Sequence, residues 1–194
     1  DSNRGLSTAR NLGTRKLSST IPTQLGHLTN LQHMRFEDNR LSGPIPSELS
    51  GLQSLQTLVL RRNLLTGTIP PFLGRLQQLQ GLALDDNQLK DGFPEELSRL
   101  PNLIELHLHD NQMRGQLPAS LDSLSETLSW LTLSENEFVG PLPLSWAQLS
   151  KLQVLQLEGN AELTGTIPVE WGINWLNLMA IRLHGTSLTG EVPV

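Results

Sequence analysis

The sequence predicts an α/β repeat fold: a right-handed solenoid with a parallel β-sheet on its concave side and short helical or 3-10 turns on its convex side. Three observations predict it. Leucine fills 42 of 194 positions, far above ordinary globular usage. One frame restarts at Leu28, Leu52, Leu76, Leu100, Leu124, Leu149 and Trp175, at spacings of 24, 24, 24, 24, 25 and 26 residues. Within the frame, LxxLxxLxLxxNxLxGxIPxxLxxL, one Asn, one Gly and one Ile-Pro pair recur at fixed offsets. A unit this short cannot bury its apolar face alone, so neighbouring units must stack.

Each part of the frame has a physical reading. The LxL core (Leu58-Leu60, Leu82-Leu84, Leu106-Leu108, Leu131-Leu133, Leu155-Leu157) alternates apolar and variable residues, the pattern of a short half-buried strand. The Asn column that follows (Asn39, Asn63, Asn87, Asn111, Asn136, Asn160) supplies donors and an acceptor where a tight inward bend leaves backbone groups unpaired. It reads as a structural ladder, and becomes Arg15 and Thr186 at the ends. The Gly column (Gly43, Gly67, Gly115, Gly140, Gly165, Gly190) permits turn conformations closed to other residues, with breaks at Ser19 and Asp91. Ile-Pro or its equivalent, as in Ile45-Pro46 and Ile69-Pro70, fixes an extended approach. One helical turn then carries Leu25, Leu49, Leu73, Leu97, Leu121, Trp146 or Trp171 into the core. Residues 1–27 form a degenerate first repeat traced through Leu12, Leu17 and Ile21. Residues 28–174 hold six full repeats, and 175–194 an incomplete last one. No linker or composition shift divides them, so 1–194 is one domain of about eight turns, roughly 40 Å long at strand spacing.

Composition excludes several functions. The absence of Cys removes disulfide frameworks, thiol catalysis and Cys-ligated metal sites. No apolar run reaches membrane-span length, so no direct membrane insertion is expected from this segment. A net charge of -5 without basic runs argues against nucleic acid. No cofactor is expected.

On these motifs the chain resembles the leucine-rich repeat family in its plant-type LxGxIP form, over nearly its whole length from Leu12 to Pro193. The resemblance implies protein or peptide binding on the concave face, as in receptor-like ectodomains, inhibitors of extracellular glycosidases and assembly scaffolds. The fold alone does not choose among them. Secreted members that resemble this repeat usually carry paired-cysteine caps and Asn-x-Ser/Thr sequons, and this sequence has neither. Resemblance therefore implies an extracellular or membrane-tethered setting, while the missing Cys and sequons favour an intracellular or organellar one. The leading polar stretch (Ser7, Arg10) reads as a worn cap, and nothing caps Val194. A flanking segment or a partner is expected to cover the carboxy-terminal end.

Alternation assigns the outward strand positions. Candidate partner-binding residues are Arg35, Val59, Arg61, Asp85, His107, His109, Trp130, Thr132 and Gln156. Trp130, an outward aromatic, is the anchor candidate, with His107 and Thr132 as lateral neighbours in a central patch. Charge is graded: Arg35, Arg40, Arg61 and Arg62 lie toward the amino-terminal end. Asp85, Asp86, Glu105, Asp110, Glu135, Glu137 and Glu158 make the rest acidic. A partner of opposite polarity is expected. His107-x-His109-Asp110, with Asp85 alongside, invites a metal reading, and Ser134 near His109 and Asp85 a hydrolase reading. An open sheet offers neither a second shell nor an oxyanion hole, so solvated histidines are the preferred reading. The sequence thus reads as a non-enzymatic recognition module. The alternatives are an intracellular scaffold or assembly subunit, and a glycosidase inhibitor.

Overall fold

The computed structural model describes residues 17–192. The expectations placed on Ser7, Arg10, Leu12, Arg15, Pro193 and Val194 lie outside them. The LxL segments are strands, as the alternation requires: His33–Arg35, Thr57–Val59, Gly81–Ala83, Glu105–His107, Trp130–Thr132, Val154–Gln156 and Ala180–Arg182 pair in parallel as one seven-stranded sheet in chain order. This is the concave sheet. Its register puts like on like, with Leu58, Leu82, Leu106, Leu131 and Leu155 directly adjacent. All five are fully buried.

The Asn ladder closes the bend behind each strand. The Asn63 Nδ2 amide donates to the carbonyls of Leu60 (2.9 Å), Arg61 (3.2 Å) and, one repeat back, Phe36 (2.9 Å). Its Oδ1 accepts from the Leu41 N–H at 2.9 Å. Asn87, Asn111 and Asn136 repeat the arrangement. Each side chain therefore ties two repeats together, and Thr186, which replaces Asn, keeps one bond, to Leu183 O.

Beyond the Asn the chain forms a second parallel sheet that the repeat pattern did not announce. Ser18–Ser19, Arg40–Gly43, Leu64–Gly67, Gln88–Asp91, Gln112–Gln116, Glu137–Pro141 and Glu162–Thr164 pair in chain order. From Arg40–Gly43 onward each strand turns one apolar residue inward, Leu41, Leu65, Leu89, Met113, Phe138 and Leu163, too short a pattern to read as alternation. The Gly column ends or interrupts these strands at positive φ, 83° at Gly67 and 92° at Gly115. Of the two breaks, Asp91 keeps the geometry with an ordinary side chain at 69°, whereas Ser19 departs from it at 143°.

The Pro residues hand over to 3-10 turns: Thr23–His27, Ser47–Gly51, Pro71–Arg75, Glu95–Arg99, Ala119–Leu124 and Leu144–Gln148. The last turn is an α-helix, Val169–Asn174. The longer repeats take up one extra residue each here, since these two late turns, Ala119–Leu124 and Val169–Asn174, have 6 residues against 5 elsewhere. Gly74 lets the backbone of Glu96 press against it, a contact any Cβ would block. Trp146 and Trp171 fill the Leu column as expected and stack 6.1 Å apart, with Trp175 4.2 Å beyond Trp171. The Trp146 indole N–H donates to Pro118 O and that of Trp175 to Trp146 O. No helix of the described residues is long and apolar enough to cross a membrane.

Candidate functional site

Three outward rows cross the concave sheet, because each strand turns alternate side chains out. The central patch assembles as the spacing predicts. Thr132 pairs with His107 in register, and His107 Nδ1 lies 3.1 Å from the Thr132 hydroxyl. Trp130 meets the same imidazole edge-on, with ring centroids 6.5 Å apart. Trp130 keeps 39% of its surface exposed, so neighbouring side chains do not cover it.

Beside this patch His109 stands between two acids, its Nε2 3.4 Å from Asp85 Oδ2 and its Nδ1 2.7 Å from Asp110 Oδ2. Both ring nitrogens are thereby directed at carboxylates, which leaves neither to act as base for Ser134. Burial pushes the Asp85 carboxyl above its ordinary value, opposed chiefly by the positive field of His109. Burial also pushes the His107 imidazole below its ordinary value, opposed by Asp85 and then Glu105. Among the described residues no group of three or more His, Asp or Glu is placed to hold a metal ion.

Toward the amino-terminal end, Arg35 and Arg61 are exposed and overlook a depression of about 160 Å³ floored by Val59 and Gly81 and bounded by Glu105 and His107. The candidate residues therefore divide. Arg35, Arg61 and Trp130 are exposed, and His107, His109 and Gln156 half-buried. Val59, Asp85 and Thr132, read from alternation as open, are buried, Asp85 and Thr132 to 4% exposure. Strands about 4.8 Å apart let a large side chain close over a small neighbour, which alternation along one strand cannot reveal. The acidic half of the charge gradient is thinner at the surface than its residue count suggests, because Asp85 and Glu158 are both buried.

A group of residues and a backbone conformation escaped the reading from sequence. One is a groove of about 450 Å³ along the edge where the chain joins the concave strands, lined by Gln80, Ile104, Ser129 and Gln153 with Asn102 and Lys151. These variable residues sit just before or between the Leu positions and carry no periodic signal. The other is a rim column at left-handed φ: Asp38 (58°), Arg62 (54°), Asp86 (53°), Asp110 (53°) and Glu135 (49°). There Arg62 bridges its neighbours, 3.6 Å from Asp38 and 3.4 Å from Asp86. Its immediate precedence of the Asn column was the available clue.

The sequence matches the models of the leucine-rich repeat over residues 55–113 and 30–52. No curated protein matches it. Among solved structures, the ectodomain of the plant membrane receptor kinase GASSHO1/SCHENGEN3 from Arabidopsis thaliana, in complex with Casparian strip integrity factor 2, is 32% identical at a TM-score of 0.87. That match covers 92% of this chain and 21% of the ectodomain. The ectodomain of the Arabidopsis receptor kinase HAESA, in complex with an extended IDA peptide hormone, is 31% identical at a TM-score of 0.85, covering 92% of this chain and 29% of that one. A pollen receptor kinase 3 is 31% identical at a TM-score of 0.74, covering 82% of this chain and 76% of that one. The chain thus spans between about a fifth and a third of the length of the two complexed ectodomains.

Proposed function

The chain belongs to the leucine-rich repeat family in its plant-type form, and from that premise we propose that it is a non-enzymatic recognition module of the receptor-like kind. It takes an extended peptide or protein segment across the concave sheet, centred on Trp130. The observation that carries this reading is the Trp130–His107–Thr132 cluster, an exposed indole braced by an imidazole that is itself hydrogen-bonded. An aromatic anchor held in one rotamer by its neighbours loses little freedom when a partner arrives. The similar HAESA ectodomain, in complex with a peptide hormone, supports the same reading.

Arg35 and Arg61 make the amino-terminal part of this face positive, and Glu105, Asp110 and Glu135 make its middle negative, so a bound segment is oriented by charge. The helix Val169–Asn174 and the residues after it expose Ile173, Leu176 and Met179 at 69%, 85% and 73%, an apolar surface suited to a covering segment or partner.

Panning a displayed library of random dodecapeptides against the chain tests the proposal. Binders are expected to lose at least tenfold in affinity on Trp130→Ala while the variant's Tm stays within a few degrees. Binders indifferent to every concave substitution, yet lost on Leu144→Asp on the convex side, would overturn it.

A further inference from the structure

Two carboxylates are buried on the concave face, and they are not equally served. Asp85 has His109 at 3.4 Å. Glu158, three repeats along the same outward row, is 8% exposed, and its Oε2 has no hydrogen-bond partner. The nearest cation, Arg182 Nη1, stands 3.8 Å from Oε1, beyond hydrogen-bond reach, on a side chain 59% exposed and free to swing. The backbone cannot help, because outward rows point away from it. A desolvated carboxylate with an empty acceptor is costly unless a donor arrives.

The surroundings select the donor. The Glu135 side chain from the preceding repeat folds over the next turn, its carboxylate lying against Gly159 where any Cβ would collide with it. The Glu135 N–H also donates to Glu158 O at 2.8 Å, which locks the two turns together. The Glu135 carboxylate thus lies on the residue that follows Glu158, and Ser134, just before Glu135 in the preceding repeat, is a further buried polar group. Among the described residues no group of three or more His, Asp or Glu is placed to hold a metal ion. A lone buried carboxylate oxygen suits a compact donor-only cation carried on an apolar stem.

We propose that Glu158 is the specificity subsite of this face and takes a Lys or Arg side chain of the bound peptide, which displaces Arg182 and is shared with Glu135. This rests on the concave-face reading above. In exchange the Glu158 carboxylate trades a loose ion pair for charge-assisted hydrogen bonds.

The same dodecapeptide library tests it on the full chain. Trp130-dependent binders are expected to carry Lys or Arg at one fixed position. Glu158→Gln, which keeps shape and removes charge, should weaken them at least tenfold without lowering Tm. Arg182→Ala should tighten them several-fold by removing the internal competitor. Replacing the fixed basic residue by norleucine should reproduce the Glu158→Gln loss on the wild-type chain and add nothing on the variant. Exchanging Lys for Arg there separates an ammonium site from a guanidinium site. Trp130-dependent binders with no fixed basic residue, or with affinities unmoved by Glu158→Gln, overturn the subsite and leave the concave-face reading standing. So does a Glu158→Gln variant that loses several degrees of Tm at unchanged affinity, which marks a structural carboxylate. A library without any Trp130-dependent binder removes the parent reading, and the subsite with it.

Discussion

The inward and outward sides of the concave sheet share the same three-residue strands, yet they obey opposite rules. Inward, one residue type is copied from Leu58 to Leu155, and every copy is fully buried. Outward, the row through Arg35, Val59, Ala83, His107, Thr132 and Gln156 never repeats itself. The inward copies must match because each Leu packs against its counterpart one strand away, so a misfit at one repeat is felt by both neighbours. The outward side chains answer only to lateral neighbours and to whatever binds. Stability and recognition are therefore carried by adjacent residues of one strand pointing in opposite directions.

The largest way to test that division is to cut the inward side. Leu131→Ala, at a fully buried site in the middle of the sheet, is expected to destabilise by about 4 kcal/mol, read as a fall in urea midpoint. Asn136→Ala should follow at about 3 kcal/mol. It leaves the Leu108, Leu133 and Ser134 carbonyls and the Met113 N–H without their buried partner. Serine in place of Asn136, too short to span two repeats, should recover only part of that loss. If either change costs no more than a surface substitution, the copied column is not what holds the solenoid.

Titration gives a smaller effect, and it arises on the outward side. Burial holds the folded His107 below its ordinary 6.5, so the unfolded chain keeps a proton that the folded one releases. Its contribution is complete above pH 6.5 and is lost as pH falls through 6.5 to the lower folded value. Asp85 has the opposite sign, since its folded carboxyl is raised above 3.8. Its buried charge weakens the fold at neutral pH, and that cost fades as pH falls through the raised value. His107→Gln should flatten the decline in Tm between pH 7 and pH 5, and Asp85→Asn should raise Tm at pH 7. A wild-type Tm that does not change between pH 7 and pH 5 would mean that the outward row is too solvated to feel its own burial. The smallest stability effect belongs to Trp130→Ala, under about 1 kcal/mol by thermal melt, because the indole stays 39% exposed and meets His107 only edge-on.

The frame was legible in the sequence because its residues repeat for packing reasons. The LxL strands, the Asn ladder, the Pro-led turns and the buried Trp146 and Trp171 all follow from columns of like residues. The second sheet was not legible. Segments such as Leu64–Gly67 turn one side chain inward and are recognised only by the strands beside them. At the site, the neighbour relations of Trp130, His107 and Thr132 were readable from register. The burial of Val59, Asp85, Thr132 and Glu158 was not, because cover comes from side chains about 24 residues away whose sizes follow no rule. The orphaned oxygen of Glu158 belongs to the same class of fact, since an exposed acid and an unsatisfied one read alike.

The left-handed rim sets the terms on which such a molecule can diverge. That column accepts Asp, Arg, Glu and, at Gly159 and Gly185, no side chain at all. Packing holds Gly159 to glycine, because a Cβ there would meet the Glu135 carboxylate, but at the charged members each non-glycine costs only about 1 kcal/mol of backbone strain. A lineage can rewrite the charge along the rim one substitution at a time, with glycine as the neutral state, and never disturb the leucines behind it. Duplicated copies of this chain would drift apart in what they hold long before they drifted apart in shape.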